Sequence, residues 1–133
     1  LEYSFFDGAG RLIQTKTQAE NAPLTAAARQ VVKDVVKFNE LGKVKEKFNP
    51  CFVIASDEYS IPDATVPKTT FEYDCLGRLT KVTNPDGSFR TTAYSDWVQT
   101  GTDENCHKTR STSDAFGRLV QIEEFNDGEV YVT

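Results

Sequence analysis

The adjacent residues Cys106 and His107 are the first candidates for chemistry, because a thiol beside an imidazole is a common arrangement for nucleophilic catalysis. Neighbours in an extended segment point to opposite faces, however, so these two side chains are not expected to act on each other. His107 is the only histidine in the sequence. The pair therefore predicts a histidine on the surface of a strand rather than a catalytic dyad, and we find no other catalytic set.

The cysteines and the recurring aspartates could instead hold a metal. Cys51, Cys75 and Cys106 show no zinc-ligand spacing, and their odd number rules out a complete disulfide framework. One bridge with one free thiol stays open; three reduced thiols are favoured, with Cys75 the most exposed. The aspartates at 7, 74 and 114 each stand alone, whereas a calcium loop supplies several oxygens at alternate positions. We predict neither a metal nor a cofactor.

Each of those aspartates lies two spacers before a glycine, a spacing typical of a turn in which the side chain binds backbone N–H groups. A basic residue follows the glycine: Arg11, Arg78 and Arg118, with Lys43 in a weaker copy. A row of arginines could bind an anionic ligand. We favour pairing of each arginine with the aspartate or a carbonyl of a neighbouring turn, because planar guanidinium groups suit such contacts.

The clearest stretch is residues 73–94, which read as strand, turn, strand, turn, strand. Proline at the second position and glycine at the fourth make Asn84-Pro85-Asp86-Gly87 a tight turn. The other turn in this stretch, an aspartate or asparagine followed by two spacers and a glycine, recurs along the chain. Its glycines lie at 10, 42, 77 and 117, that is 32, 35 and 40 residues apart. The predicted turn positions are Asp7, Gly10, Asn39, Gly42, Asp74, Gly77, Asn84, Pro85, Asp86, Gly87, Asp114, Gly117, Asp127 and Gly128.

Tyr73-Asp74-Cys75-Leu76-Gly77-Arg78-Leu79 followed by Asn-Pro-Asp-Gly resembles the YD repeat of bacterial RHS proteins, insecticidal toxin-complex components and teneurins. The likeness covers nearly the whole chain, although Phe6 and Ser113 replace the tyrosine in other copies. The first 52 residues are most similar to the shell-forming B component of toxin complexes. The resemblance implies a strip of a spiral β-sheet that closes into a hollow shell and, in toxin members, encloses a C-terminal toxic polypeptide. The self-cleaving aspartates of that family have no counterpart here.

The expected fold is therefore all-β, with antiparallel β-hairpin repeats forming an elongated curved sheet. We predict one domain over 1–133: first repeats in 1–48 with an insertion near 18–30, a long loop at 49–67, and regular repeats in 68–133. Within these regular repeats we expect a turn at Asp103-Glu104-Asn105 and seven strands, at 68–73, 78–83, 88–94, 97–102, 107–113, 118–125 and 129–133. A helical turn from Pro23 to Ala28 is one reading of the insertion, and a loop is another. Residues 31–38 allow a helical stripe of valines, but their β-branched content favours one strand.

Composition limits the partners. The net charge is −5, and acidic residues interleave with the lysines at 33, 37, 43, 45 and 47, so no nucleic-acid partner is expected. No apolar run is long enough to span a membrane. The absence of methionine predicts an excerpt of a longer polypeptide, and no signal peptide is visible in it. The family resemblance implies that this longer polypeptide is secreted or lies at the cell surface.

Two functions remain. The first is a non-catalytic shell segment, whose partners are other repeats of the same polypeptide and an enclosed toxin. The second is an extracellular glycan- or protein-binding module, which would use the aromatic residues as a sugar platform. We favour packing as the role of those aromatic residues, which are Tyr3, Phe6, Phe38, Phe71, Tyr73, Phe89, Tyr94 and Trp97.

Overall fold

The computed structural model describes residues 1–19, 28–126 and 128–133, and within them it contains strands and no helix. The predicted all-β, antiparallel fold is confirmed. The strands, numbered along the chain, are β1 (Glu2–Phe6), β2 (Leu12–Gln18), β3 (Arg29–Lys33), β4 (Val36–Phe38), β5 (Val44–Phe48), β6 (Cys51–Ile54), β7 (Lys68–Tyr73), β8 (Leu79–Thr83), β9 (Phe89–Ser95), β10 (Val98–Thr102), β11 (Lys108–Ser113), β12 (Leu119–Asn126) and β13 (Glu129–Val132).

The chain divides into two compact units, Leu1–Thr70 and Phe71–Thr133. The first unit contains a four-stranded antiparallel sheet in the order β1-β2-β3-β6. It also contains the β4–β5 hairpin, and β5 pairs with the start of β7. Val32, Val35 and Phe48 form the buried core of this unit, with Cys51, Val53 and Val66 packed against them.

Residues 31–38 form two strands, so the prediction of a single strand there is wrong in one respect. Asp34 adopts a left-handed conformation, with φ of 57°, and this breaks the extended run between β3 and β4. As a result β3 joins the four-stranded sheet while β4 pairs with β5. Aspartate tolerates this conformation better than most residues, but nothing in the valine pattern indicates it. The helical alternative for this segment is wrong.

The predicted loop at 49–67 is also wrong over four residues, because Cys51–Ile54 is the strand β6. It pairs antiparallel with β3, from Val32↔Cys51 to Arg29↔Ile54. The sequence Cys-Phe-Val-Ile has strong β propensity, but the prolines around it concealed so short a strand. The predicted insertion near 18–30 includes the end of β2 and the start of β3, and its possible helical turn falls mostly on residues 20–27, outside the described residues.

Polar side chains, rather than apolar ones, hold residues 55–60 over the four-stranded sheet. Gln14 and Lys16 are completely buried, and Gln30 is 7% exposed. The side-chain Nε2 of Gln14 donates to the Ser60 carbonyl (2.7 Å), and its Oε1 accepts from the backbone N–H of Ser60 (3.0 Å). The Lys16 ammonium donates to the carbonyls of Ser56 and Glu58. These backbone groups therefore have partners although the segment has no regular structure.

The second unit is an antiparallel meander that continues from the end of β7 to β13, with consecutive strands as neighbours. The seven strands expected from residue 68 onward are all present within a residue or two of the predicted bounds. Its one fully buried apolar side chain among the described residues is Val82, at 5% exposure. Among these residues, no helix is long and apolar enough to cross a membrane.

Candidate functional site

The Cys106-His107 pair takes part in a turn and not in a dyad. Cys106 has φ of 68°, so it is not extended, and β11 begins only at Lys108 rather than at His107 as predicted. His107 Nδ1 lies 3.1 Å from Asp103 Oδ2. The described residues contain no group of three or more His, Cys, Asp or Glu placed to hold a metal. The three thiols are free; Cys75 and Cys106 are both exposed, and Cys51 is half-buried.

The recurring turn has a defined geometry, which we call the clamp turn: five residues running from an aspartate or asparagine to a basic residue. In residues 114–118, the Gly117 amide donates to the Asp114 carbonyl, and the Asp114 amide donates to the Arg118 carbonyl. Asp114 Oδ1 accepts from the Phe116 and Arg118 amides at 2.9 Å each. The second oxygen, Oδ2, accepts from Arg118 Nε at 2.7 Å. One carboxylate thus closes the turn and orients the arginine.

The same bonds recur at 7–11 and 74–78, where Arg11 Nε and Arg78 Nε each donate to their own aspartate at 2.7 Å. The glycines at the fourth position have φ between 72° and 77°, a conformation that a side chain disfavours. In the copy at 39–43, Asn39 Oδ1 accepts from the Leu41 and Lys43 amides. An amide has one acceptor oxygen, so this copy closes the turn in the same way without a carboxylate to pair with the cation.

A further clamp turn lies at 103–107, where the sequence predicted a turn but not a copy of the repeat. Asp103 Oδ1 accepts from the Asn105 and His107 amides at 2.9 and 2.8 Å. Cys106 takes the place of the left-handed glycine and His107 the place of the arginine. The signal was present as an aspartate four residues before a basic side chain, but the missing glycine concealed it.

The remaining predicted turn positions lie at 84–88 and near 127. The Asn84 amide donates to the Ser88 carbonyl, and Gly87 (φ 87°) donates to the Asn84 carbonyl. Asp86 Oδ1, rather than the first residue, accepts from the Ser88 amide and hydroxyl at 2.9 and 2.7 Å. Pro85 lies between them at the second position. Asp127 is outside the described residues, and Gly128 has φ of 90°.

The clamp carboxylates are held ionised. The backbone amide of the arginine, four residues on, is the first cause that lowers the pKa of Asp7, Asp74 and Asp114 below its ordinary value. At Asp103 desolvation acts to raise the pKa, but the amide and ring of His107 outweigh it, and the pKa is lowered. A carboxylate committed to backbone donors in this way suits a structural role rather than proton transfer.

The arginines of the clamp turns also contact aromatic rings. Arg11 lies 3.9 Å from the centre of the Phe38 ring, and its Nη1 donates to the Gly42 carbonyl at 3.3 Å. Arg78 lies 4.4 Å from the centre of the Tyr94 ring. In the first unit, therefore, one arginine joins its own clamp turn to the turn at 39–43.

The first unit also contains a cavity of about 330 Å³ that is open to solvent on one side. Val32, Val35, Phe48, Val53 and Val66 supply apolar walls, and the polar lining includes Gln14, which is bound to Ser60. In both units several large apolar side chains are exposed, among them Phe89 (51%) and Trp97 (57%) in the second. The Phe5 and Tyr59 rings meet edge-on in the first unit, with their centres 6.0 Å apart.

Comparison with known proteins gives a fold. No family model and no curated protein matches the sequence. Among solved structures, the Photorhabdus luminescens Tc holotoxin pore with a mutated TccC3 matches with a TM-score of 0.83 and 20% identity. A crystal structure of TcdB2-TccC3 matches with a TM-score of 0.74 and 21% identity. Each match covers 98% of this chain but 8% of the other. The chain thus has the fold of a short portion of Tc toxin chains.

Proposed function

We propose that this chain is a non-catalytic wall segment of an RHS/YD-repeat shell, belonging to a longer secreted polypeptide whose other repeats extend the wall around a toxin or effector. The observation that carries the proposal is the clamp turn. It occurs at 7, 39, 74, 103 and 114 with the same pair of amides bound to one side-chain oxygen.

The burial pattern supports a wall. Among the described residues, the buried apolar side chains are Val32, Val35, Phe48 and Val82. Repeat arrays bury their apolar faces largely with the help of neighbouring repeats. The C-terminal end of the meander is consistent with this, since Val120 on β12 and Val130 and Val132 on β13 are 59%, 48% and 61% exposed. These surfaces are available for cover by further repeats or by an enclosed chain.

The alternative is a glycan- or protein-binding module. In that case the exposed rings of Trp97 and Phe89 would contact the ligand. The two functions differ in what the isolated chain does. A wall segment leaves unpaired strand edges and should associate as concentration rises. A binding module should remain monomeric and bind a glycan or a protein on its own.

The decisive experiment is electron cryomicroscopy of the natural polypeptide that contains this sequence. We expect these 133 residues within the sheet of a closed shell, with a segment inside that resists added protease until the shell is opened. Sedimentation of the isolated chain and a glycan array provide the cheaper test. Specific glycan binding by a monomer, or a full-length structure without a closed sheet, would overturn the proposal.

A further inference from the structure

The four-stranded sheet of the first unit has two edges, and β6 is the unprotected one. Among the described residues, β6 pairs with β3 alone. The Ala55 amide donates to the Ala28 carbonyl, so this pair exchanges hydrogen bonds. Bonded and non-bonded pairs alternate along an antiparallel ladder, which makes Val53 and Cys51 the bonded residues of β6. Phe52 and Ile54 therefore direct their N–H and C=O groups away from the sheet.

The side chains at these outward positions are apolar and exposed, Phe52 at 67% and Ile54 at 76%. The opposite edge differs. By the same alternation, with the Gln18 amide donating to the Leu1 carbonyl, the outward positions of β1 are Glu2 and Ser4. Charged and polar side chains are the usual protection of an edge strand against pairing. The sequence Cys-Phe-Val-Ile lacks them: Cys51 and Val53 pack against the core, but the outward positions Phe52 and Ile54 are also apolar.

The surroundings of β6 indicate what would pair with it. On its inner face β6 borders the cavity, where Ile61 lies 83% exposed. An added strand would place alternate side chains against that opening and beside Phe52, as in recognition by strand addition. Beyond β6 the chain continues through exposed Asp57 and Glu58. The Lys16 ammonium interacts with both carboxylates, and one positive charge against two negative charges leaves an acidic excess. Since residues 49–54 carry no charge, a second copy of β6 would not neutralise that excess, whereas a basic segment would.

We propose that β6 is a docking edge, which takes up an extended segment of a partner polypeptide, with alternating apolar residues and a basic flank, by antiparallel strand addition. The proposal rests on this edge and not on the shell function, so either can fail without the other.

The test uses the 133-residue chain and a labelled, end-capped peptide, Lys-Lys-Val-Thr-Val-Thr-Val, with binding followed by fluorescence anisotropy. Proline at position 54 removes an outward N–H group while leaving the ladder to β3 intact. We expect Ile54→Pro to weaken binding about tenfold or more. The matched control is Ser4→Pro, which removes an outward N–H from the opposite edge and should leave the affinity unchanged. A peptide with two glutamates in place of the lysines should bind more weakly.

Phe52→Lys provides a second variant, which places a cation at the edge without altering the backbone and should also weaken binding. Circular dichroism checks that each variant keeps its strands. Absence of saturable binding at about 1 mM peptide, or equal losses in Ile54→Pro and Ser4→Pro, would overturn the proposal. Concentration-dependent dimerisation that Ile54→Pro abolishes, without peptide binding, would overturn it in favour of a second copy.

Discussion

Replacing Lys16 with methionine should destabilise the first unit selectively. The lysine is completely buried on β2, and its ammonium binds the carbonyls of Ser56, at 3.2 Å, and of Glu58. Hydrogen bonds from a charged donor contribute about 1.5–3 kcal/mol each, and a carbonyl left without a partner adds to the loss. Methionine keeps the volume and donates nothing.

Part of that loss is recovered, because burying an ammonium is itself costly. Desolvation lowers the pKa of Lys16, which shows that the site disfavours the charge even with Asp57 and Glu58 nearby. The carbonyls of a surface segment can also reach water once released. We therefore expect a net destabilisation of about 2–3 kcal/mol rather than the full sum of two bonds.

The chain offers a separate probe for each unit. Cys51 packs against the core of the first unit, so with Cys75 and Cys106 changed to serine its reactivity toward a thiol reagent reports opening of that unit. Trp97, the only tryptophan, reports on the second unit. In a urea series, Lys16→Met should shift the Cys51 transition and leave the Trp97 transition in place.

The control is Lys45→Met, which removes an exposed lysine from β5 and should change stability by less than about 0.5 kcal/mol. Equal effects of the two substitutions on Cys51 would refute the argument that buried polar side chains hold residues 55–60. A shift confined to Trp97 fluorescence would refute it as well.

Four further predictions concern the clamp turns. Cys106→Gly should stabilise the second unit by about 0.5–1 kcal/mol in urea unfolding. Glycine relieves the strain of the left-handed conformation at φ 68°, and the greater entropy of glycine in the unfolded chain offsets part of that gain. A loss of stability would contradict this. Gly117→Ala should lower the free energy of unfolding by about 1–2 kcal/mol, because φ is +77° at this position. A Cβ there would meet no other atom, so the cost comes from the backbone conformation alone. Gly42→Ala should cost about 0.5–1 kcal/mol more by the same measurement, because its Cβ would lie 3.0 Å from Arg11 Nη1 and disturb two contacts of that arginine; equal costs would contradict the role of Arg11. Finally, the folded pKa of Asp114 lies below its ordinary 3.8, so its contribution to stability is present above that value and is lost as the pH falls through the folded pKa. Asp114→Asn should therefore flatten the acid limb of a stability–pH curve, and an unchanged limb would exclude this carboxylate as a cause.

The turns could be predicted from the sequence because the hydrogen bonds that close them are local. An oxygen at the first position and a glycine at the fourth close the turn within five residues, so spacing alone predicted the strand bounds of the second unit. The missed clamp turn at 103–107 shows the limit of that reasoning. The conformation depends on the aspartate and its two amide partners, and a cysteine can adopt the left-handed position when those bonds hold it there.

The first unit was harder to predict because its form depends on contacts distant in sequence. The break at Asp34 separates β3 from β4, and β6 returns to pair with β3 some twenty residues along the chain. Gln14 and Ser60 are bound to each other although 46 residues apart. The residue types in the valine-rich stretch 31–38 and the proline-rich stretch 49–67 do not indicate which distant residues they pair with.

In the second unit, turns rather than a core set the register of the strands. A one-residue slip in an antiparallel pair exchanges the two faces of a strand, and a large buried face normally prevents it. The second unit has little such face, with Val82 alone fully buried among its described apolar residues. The clamp turns supply the missing constraint, because each fixes which residues begin the next ladder. After the turn at 114–118 the ladder begins with Ser113↔Leu119, and its register shifts by one residue before Thr112↔Gln121. A sheet built in this way can vary its exposed side chains widely while keeping its strands aligned.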